Sequence, residues 1–522
     1  MMPSISKLSL VLTATLFAIG PNSFAQQPTE RPPNVVFFLV DDLGWRDVGC
    51  FGSEFYETPH IDRLASEGVR FNQAYATCHV CSPTRASILT GKYPARLHLT
   101  DWLPGRREFP FQQFKNAEIH QHLPYEETTI AEVLKAKGYS TAIFGKWHLG
   151  EEPSGPTQHG FDVQVPQWNK GWPKAGYHAP FKMDGLSDSD GDYLTDRLTD
   201  EALAYIEQNK NQPFFLYLSH FAVHDPIHGR PDLVEKYRNK LSTQSPSESP
   251  AFILEGNPDA PQPLTREELD RLIKQPTHQD HRVLPQRTVK IKQQQDNIQF
   301  AAMVEAMDQS LGRVLAKLKS LHIEDNTIVI FFSDNGGMSA ANFGNPIRVV
   351  NETQLDRAYS TSNLPLRGAK GWLYEGGIRV PMIVKWPGSS KAGTVCEEPV
   401  ISTDFYLSIL EMTGLASNVE ASPDSVSFVS ALKGAPFKRQ PLYWHFPHYS
   451  NHGMQSPGGA IRDGDYKLLE YFENNGVQLF NLKEDPGEQH DLAKVQPVKT
   501  AKLLAMLRHW RQDVSARMMP RK

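Results

Sequence analysis

The chain has 522 residues, of which 54 are Lys or Arg and 59 are Asp or Glu, for a formal charge of −5. That balance argues against a general nucleic-acid binder while leaving room for a local basic pocket, and the length exceeds what one simple core usually supports, so two lobes are expected. Cys50, Cys78, Cys81 and Cys396 are too few in so long a chain to form a disulfide scaffold.

The first residues show a basic start at Lys7, an apolar stretch from Leu8 to Gly20, and Ser23-Phe24-Ala25 before a polar turn. This reads as an export signal over residues 1–25, because the apolar run is too short to span a membrane and nothing later replaces it. No cysteine precedes Cys50, which excludes a lipid-modified cysteine at the cleavage site. The expectation is a soluble mature protein, periplasmic or secreted, with no membrane anchor.

Asn34 to Val40 is a continuous β-branched and aromatic run of strand length, of the kind buried on both faces of a parallel sheet. It ends abruptly in Asp41-Asp42-Leu43-Gly44. Cys81-Ser82-Pro83-Thr84-Arg85 follows. Proline suits a first helical turn, so Cys81 is expected at a helix start where unpaired N–H groups and the dipole favour an anion. Arg85, four residues on, lies on the same helical face. The same residues also suit a buried structural thiol.

A helical pattern over Thr129–Lys137 leads into Gly138-Tyr139-Ser140-Thr141-Ala142-Ile143-Phe144-Gly145-Lys146-Trp147-His148-Leu149-Gly150. If this segment is extended, Lys146 and His148 point to one side and can approach one anion, or else they sit on a solvated edge. A strand over Phe214–Leu218 runs on through His220 and His224 to Pro226. Residues 226–295 break the α/β rhythm, and Thr243 to Gln262 has little apolar periodicity, so this polar excursion is either a solvated insertion or a lid over the site.

A helix is expected over Asn297–Leu321 and a strand over Thr327–Phe332, the latter ending in Ser333-Asp334-Asn335-Gly336-Gly337. Two core strands that deliver oxygen ligands from their carboxyl ends fit the rule that open α/β sheets bind ligands at that edge. Asp41, Asp42, Asp334 and Asn335 offer hard oxygen donors, which suit calcium or magnesium better than zinc. Residues 366–381 form a glycine-rich loop that includes Lys370; its Arg367 and Arg379 suit structural ion pairs. Beyond Val395 the pattern changes to a helix over Thr403–Thr413 and short strands around Leu442–Trp444, Gly459–Arg462, Tyr466–Tyr471 and Val477–Asn481. The fold class is therefore α/β, with a mainly parallel central sheet sandwiched by helices over residues 26–395 and a smaller α+β lobe with a short antiparallel sheet over 396–522.

Several of these segments together resemble the type I sulfatases. Cys81 to Arg85, with Thr90-Gly91 behind, resembles the family's maturation signature C-x-P-x-R, in which the cysteine is oxidised to formylglycine before folding. Gly138 to Gly150 is similar to its second signature, G-Y-x-T-A-x-x-G-K-W-H-L-G, at every defined position. The 366–381 loop looks like the one bearing a second active-site lysine, here Lys370. Phe215 to Pro226 is similar to a strand ending in H-x-P, which makes His224 the substrate-side histidine, with His220 and His228 as nearby alternatives. Gly464 to Leu468 and Phe480 to Glu488 look like second-lobe hallmarks, and the polar excursion is the main departure.

The resemblance implies an alkaline phosphatase-like fold and a formylglycine-generating maturation enzyme as partner. It also implies one divalent cation, calcium or magnesium, held by Asp41, Asp42, Asp334 and Asn335, with the residue made from Cys81 facing it. If Cys81 is consumed in this way, an odd number of thiols remains. By the family mechanism, hydrated formylglycine attacks sulfur while Arg85, Lys146 and Lys370 offset the ester's charge, His224 protonates the departing oxygen and His148 helps expel sulfate. Export and the excursion point to a sulfated polysaccharide or its oligosaccharides. Trp102, Trp168, Trp172, Tyr177 and Trp444 are either sugar-stacking platforms or packing anchors. Two other readings stand beside this one: a phosphomonoester or phosphodiester hydrolase of the same fold, and a non-catalytic sugar-binding relative. Against the first is the lack of an evident second cluster of Asp and His ligands.

Overall fold

The computed structural model describes residues 31–109, 112–245, 247–256, 264–272, 274, 288–341, 359–416, 422–437, 439–453 and 455–522. The export signal expected over residues 1–25 lies outside them, as do parts of the polar excursion. Among the described residues no helix is long and apolar enough to cross a membrane.

The large sheet has nine strands. They are β1 (Asn34–Val40), β2 (Val69–Tyr75), β3 (Ser140–Gly145), β4 (Val163–Val165), β5 (Phe214–Ser219), β8 (Thr327–Ser333), β9 (Arg379–Lys385), β10 (Thr394–Cys396) and β11 (Val400–Ile401), with β6 (Phe252–Glu255) and β7 (Val289–Lys292) forming a separate ribbon. The order is β10-β2-β9-β8-β1-β5-β3-β4, with β11 also on β2. β1 lies parallel between β8 and β5, in register Val35↔Ile328 and Val35↔Phe215. β9 is the one strand that runs against its neighbours.

Alternation along β1 splits the core in two. Val36, Phe38 and Val40 face one layer with helices α1 (Pro59–Glu67), α4 (Leu194–Asn209), α5 (Pro231–Ser242) and α6 (Ile298–Ser320). Val35, Phe37 and Leu39 face the other, with α2 (Cys81–Thr90), α3 (Ile130–Ala136) and α7 (Asp404–Met412). Each such fully buried side chain contributes roughly 2 kcal/mol. Local chemistry fixes the helix ends: Thr129 and Glu132 form a reciprocal capping box on α3, and the Asn297 side chain accepts from Phe300 N at the start of α6.

A second, antiparallel sheet follows, of β12 (Leu442–Phe446), β13 (Gly458–Asp463), β14 (Tyr466–Tyr471) and β15 (Val477–Asn481). The last helix, α8 (Pro497–Asp513), packs on it through Leu503, Leu507 and Trp510. The compositional change near 395 falls inside the large sheet, because β10 and β11 both pair with β2. Helix α7 likewise covers that sheet, so the separate sheet starts only at Leu442.

The described part of the polar excursion is anchored. Leu233, Val234 and Tyr237 of α5 join the first core layer. In the β6–β7 ribbon, the Phe252 ring lies 4.8 Å from that of Tyr359, and Glu255 forms an ion pair with Arg367 at 2.7 Å. The four cysteines are unpaired thiols.

Candidate active site

Four neighbouring strands, β8, β1, β5 and β3, end on the same edge of the sheet, and each delivers polar side chains there. From β1 come Asp41 and Asp42, from β8 Asp334 and Asn335, from β3 Lys146 and His148, and from β5 Ser219 and then His224. Backbone pairing continues past the strands, Asp41 N donating to Ala222 O at 2.9 Å and Val223 N to Asp41 O at 2.7 Å, which holds the His224 segment beside the acidic pair. Asp42 has φ 62°, a left-handed conformation that Asp tolerates better than most residues.

Helix α2 enters this cluster with its first residue, Cys81, and every residue of the helix is buried. Gly91 in the left-handed conformation ends it. Arg85 reaches Asp334 Oδ2 through Nε at 2.8 Å and a terminal nitrogen at 2.7 Å, while its other nitrogen donates to Ser219 Oγ at 2.6 Å and Lys146 O at 3.1 Å. Asp41, Cys81 and Asp334 each offer a ligand atom within 4.8 Å of the others.

The two lysines meet the acids directly: Lys146 Nζ lies 2.5 Å from Asp41 Oδ2, and Lys370 Nζ 2.7 Å from Asp42 Oδ2. Burial and the nearby Asp334 charge nonetheless push the Asp41 carboxyl well above its usual range. Against its own burial, Asp42 is held well below that range by Lys370, and Asp334 is lowered by Arg85. Asp41 Oδ1 and Asn335 Oδ1 are buried acceptors without a hydrogen-bond donor. Orphaned hard oxygens around an under-compensated carboxylate fit a divalent cation of the calcium or magnesium kind.

His148 is placed differently from the extended-segment expectation. β3 stops at Gly145, where a Cβ would come within 2.0 Å of Ser219 O, and His148 has φ 57°. Lys146 and His148 therefore do not share a strand face. Lys146 turns to Asp41, whereas His148 Nδ1 lies 3.1 Å from Cys81 Sγ and its Nε2 lies 2.6 Å from Leu103 O. A carbonyl only accepts, so Nε2 carries the proton and Nδ1 presents a lone pair to residue 81. Burial and Lys146 hold the ring neutral by pushing it well below the usual imidazole range.

His224 stands on the open side. Its Nδ1 bonds to Asp225 O at 2.6 Å, with Asp225 Oδ1 2.9 Å away, and its Nε2 lies 3.8 Å from Asp42 Oδ2. Although burial and Lys370 oppose it, Asp42 and Asp225 raise His224 to about 9. His220 is a core residue bonded to Ser310 Oγ at 2.9 Å, and His228 accepts from Tyr193 through its carbonyl.

A cavity of about 620 Å3 opens over Cys81, His148, His224 and Lys370. Trp102, Trp172, Arg106, Arg107 and Lys174 line its mouth. Past Trp172 it continues into a recess of about 590 Å3 that takes in Lys170. Of the described residues of the 226–295 excursion, only Pro226 at its start lines the cavity. Of the five aromatic candidates, only Trp102 and Trp172 face it. Tyr177 and Trp444 are packing anchors, fully buried with their polar atoms bonded to Phe221 O and Ala76 O, and Trp168 donates to Trp172 O. Arg367 and Arg379 pair with Glu255 and Glu375, as suits structural residues.

The sequence did not single out several of the lining residues. Asp225 was signalled only by standing beside His224, and Arg106-Arg107 only as a basic pair between motifs. His452 had no local signal. It belongs to the turn between β12 and β13, lines the cavity beside Lys370, and neither of its ring nitrogens has a partner.

Comparison with known proteins places these features in context. Residues 33–415 match the family model described as "Sulfatase", and residues 369–514 match one described as "N-sulphoglucosamine sulphohydrolase, C-terminal". The chain is 29% identical to a sulfatase of Formosa agariphila, over 94% of this chain and 90% of that one. It is 28% identical to N-acetylgalactosamine-6-sulfatase of Canis lupus familiaris, over 89% and 82% respectively. Among solved structures, Ps i-CgsB in complex with k-i-k-neocarrahexaose is similar, with TM-score 0.65 and 26% identity over 92% of this chain and 93% of that one.

Proposed function

The chain belongs to the sulfatase family and is a sulfuric ester hydrolase, and on that premise we propose that it removes sulfate from a sulfated oligosaccharide through formylglycine made from Cys81. The observation that carries this reading is the cluster around residue 81. There a helix start, two strand-borne aspartates, a guanidinium and a neutral histidine lone pair meet beneath an open cavity. When bound, a calcium or magnesium ion held by Asp41, Asp42, Asp334 and Asn335 polarises sulfate oxygen, and formylglycine supplies an oxygen nucleophile whose second hydroxyl makes sulfate release possible.

The chain's own side chains divide the remaining work. Lys146 and Lys370 offset the ester's negative charge, and Arg85 keeps Asp334 ionised and fixed. His224 in its protonated form gives its Nε2 proton to the departing alcohol oxygen, with Asp225 O on the opposite nitrogen. His148 takes a proton at Nδ1 from the residue-81 hydroxyl as sulfate departs, its ring fixed by Leu103 O.

The groove supports a carbohydrate chain as substrate. Two exposed-faced tryptophans and three cations at the mouth suit the faces and charges of a polyanionic sugar, and the recess beyond Trp172 leaves room for a neighbouring unit. The names of the relatives, an N-acetylgalactosamine-6-sulfatase and a protein crystallised with a neocarrahexaose, point the same way. Export to a periplasm or the exterior, and a maturation enzyme that acts on the C-x-P-x-R segment, complete the reading.

The test compares sulfate release from 4-nitrophenyl sulfate and from sulfated oligosaccharides with phosphate release from 4-nitrophenyl phosphate. Sulfate turnover that falls by more than roughly a thousandfold in Cys81→Ala is expected. Faster turnover of the phosphate ester would favour the phosphohydrolase reading, and no turnover of either would favour a binding relative.

A further inference from the structure

Three histidines line the cavity, and two have visible work. His148 is tied between residue 81 and Leu103 O, and His224 bonds to Asp225 O and faces Asp42. His452 differs. It is buried, with 4% of its surface exposed, yet both ring nitrogens lack a hydrogen-bond partner. Buried polar side chains in folded proteins almost always have partners, and an imidazole with none at both nitrogens forfeits two bonds. Its place on the cavity wall beside Lys370 and Asn451 identifies where those partners come from.

The turn that carries His452 is fixed through its backbone. Ser450 Oγ donates to His452 O at 2.6 Å and accepts from His452 N at 3.1 Å. On one side Gly371 packs so closely that a Cβ there would fall 2.3 Å from His452 O. On the other, a Cβ at Gly453 would fall 1.5 Å from Trp372 Nε1. Two glycines with φ of +89° and +64° thus clamp the turn against the Lys370 loop. An unpartnered side chain carried on a fixed backbone at the wall of a substrate cavity is placed to meet a ligand.

We propose that His452 is a specificity residue that hydrogen-bonds a hydroxyl of the sugar ring carrying the sulfate ester. The inference rests on the sulfated-carbohydrate reading. Cations such as Lys370 and Arg106 serve the charged groups of such a substrate. His452 is neutral, because burial and Lys370 push its ring well below the usual range. A neutral imidazole offers one donor and one acceptor, the pairing that an uncharged hydroxyl satisfies and a sulfate, which only accepts, does not.

The test uses the intact, matured protein. The ester substrate is whichever methyl glycoside sulfate of galactose, galactosamine or glucosamine the parent cleaves fastest, with 4-nitrophenyl sulfate, which has no ring hydroxyl, as the reference. In His452→Ala the loss of kcat/KM on the sugar ester is expected to exceed the loss on the aryl ester by about 10- to 100-fold, the size of a lost buried hydrogen bond. His452→Gln, which keeps a donor and an acceptor, should recover part of it. Independently of any variant, the parent should discriminate by about tenfold or more against the deoxy analogue lacking the bonded hydroxyl. Equal losses on both esters, no loss on the sugar, or indifference to every single deoxygenation would overturn the proposal. If the parent cleaves the aryl ester but no sugar ester, the carbohydrate reading and this inference fall together. If it cleaves neither, the failure lies in the catalytic assignment.

Discussion

Arg85 does three tasks with one planar group, holding Asp334 through two nitrogens while its third ties down Ser219 and the Lys146 carbonyl. Lysine cannot reproduce that fork. Arg85→Lys should stay folded but lose activity on 4-nitrophenyl sulfate by roughly 10²- to 10³-fold. Arg85→Ala, which leaves a buried carboxylate unpaired, should lose about 3–5 kcal/mol in urea unfolding with chelator present. Wild-type stability in the Ala variant would mean the ion pair is dispensable. Residues such as Asp334 and Asn335 were legible in the sequence because a short apolar run ending in Asp-Asn-Gly marks the end of a buried strand. His452 was not, because its meaning depends on a turn from a second sheet docking against residues some eighty positions earlier.

Strand and helix positions were legible from periodicity and capping. β1, β14 and β15 have the expected bounds, and the helix expected over Asn297–Leu321 is α6 with its two caps. What periodicity does not carry is where a chain turns after a strand. Lys146-Trp147-His148 alternates polar and apolar as a strand would and does not show that the strand stops at Gly145, so the two basic residues serve different partners than a straight strand would give them. The 366–381 loop shows the same dependence on close approach. Gly371→Ala adds a side chain at a positive φ against His452 O, so it should displace Lys370 from Asp42. A fall in kcat/KM of about tenfold or more on the aryl ester, with a smaller change in Tm, is the expected outcome. Unaltered kinetics would show that the loop tolerates the shift.

Across the whole molecule, the two sheets are joined by buried charge as well as by apolar packing. Lys467 of β14 contacts Glu375 at 3.0 Å and Glu488 at 2.9 Å, and Tyr75 of β2 donates to Glu375. Burial pushes Glu488 up to about 7, against the pull of Lys467. Its folded value lies above the unfolded one, so the folded state holds the proton more tightly and stability falls as pH rises from about 4.5 to 7, by an amount on the order of 3 kcal/mol. Glu488→Gln should flatten that slope in Tm measured against pH, and equal slopes in both proteins would remove Glu488 as its source. This joint also explains why the change of composition near 395 is a poor guide to the lobes: chain beyond it still completes the large sheet before the second one begins. Finally, Cys81 is only 3% exposed, on a helix whose ten residues are all buried. On the proposed reading, in which formylglycine is made from Cys81, a modifying enzyme would not reach a thiol so placed, and that would fix the order of events during biosynthesis. On that reading oxidation comes while the segment is still an open chain, and a molecule that folds first keeps its thiol. Purified unmodified protein should accordingly resist conversion by the maturation system when folded, whereas the urea-unfolded chain or an excised peptide accepts it, as mass spectrometry of the residue-81 peptide would record.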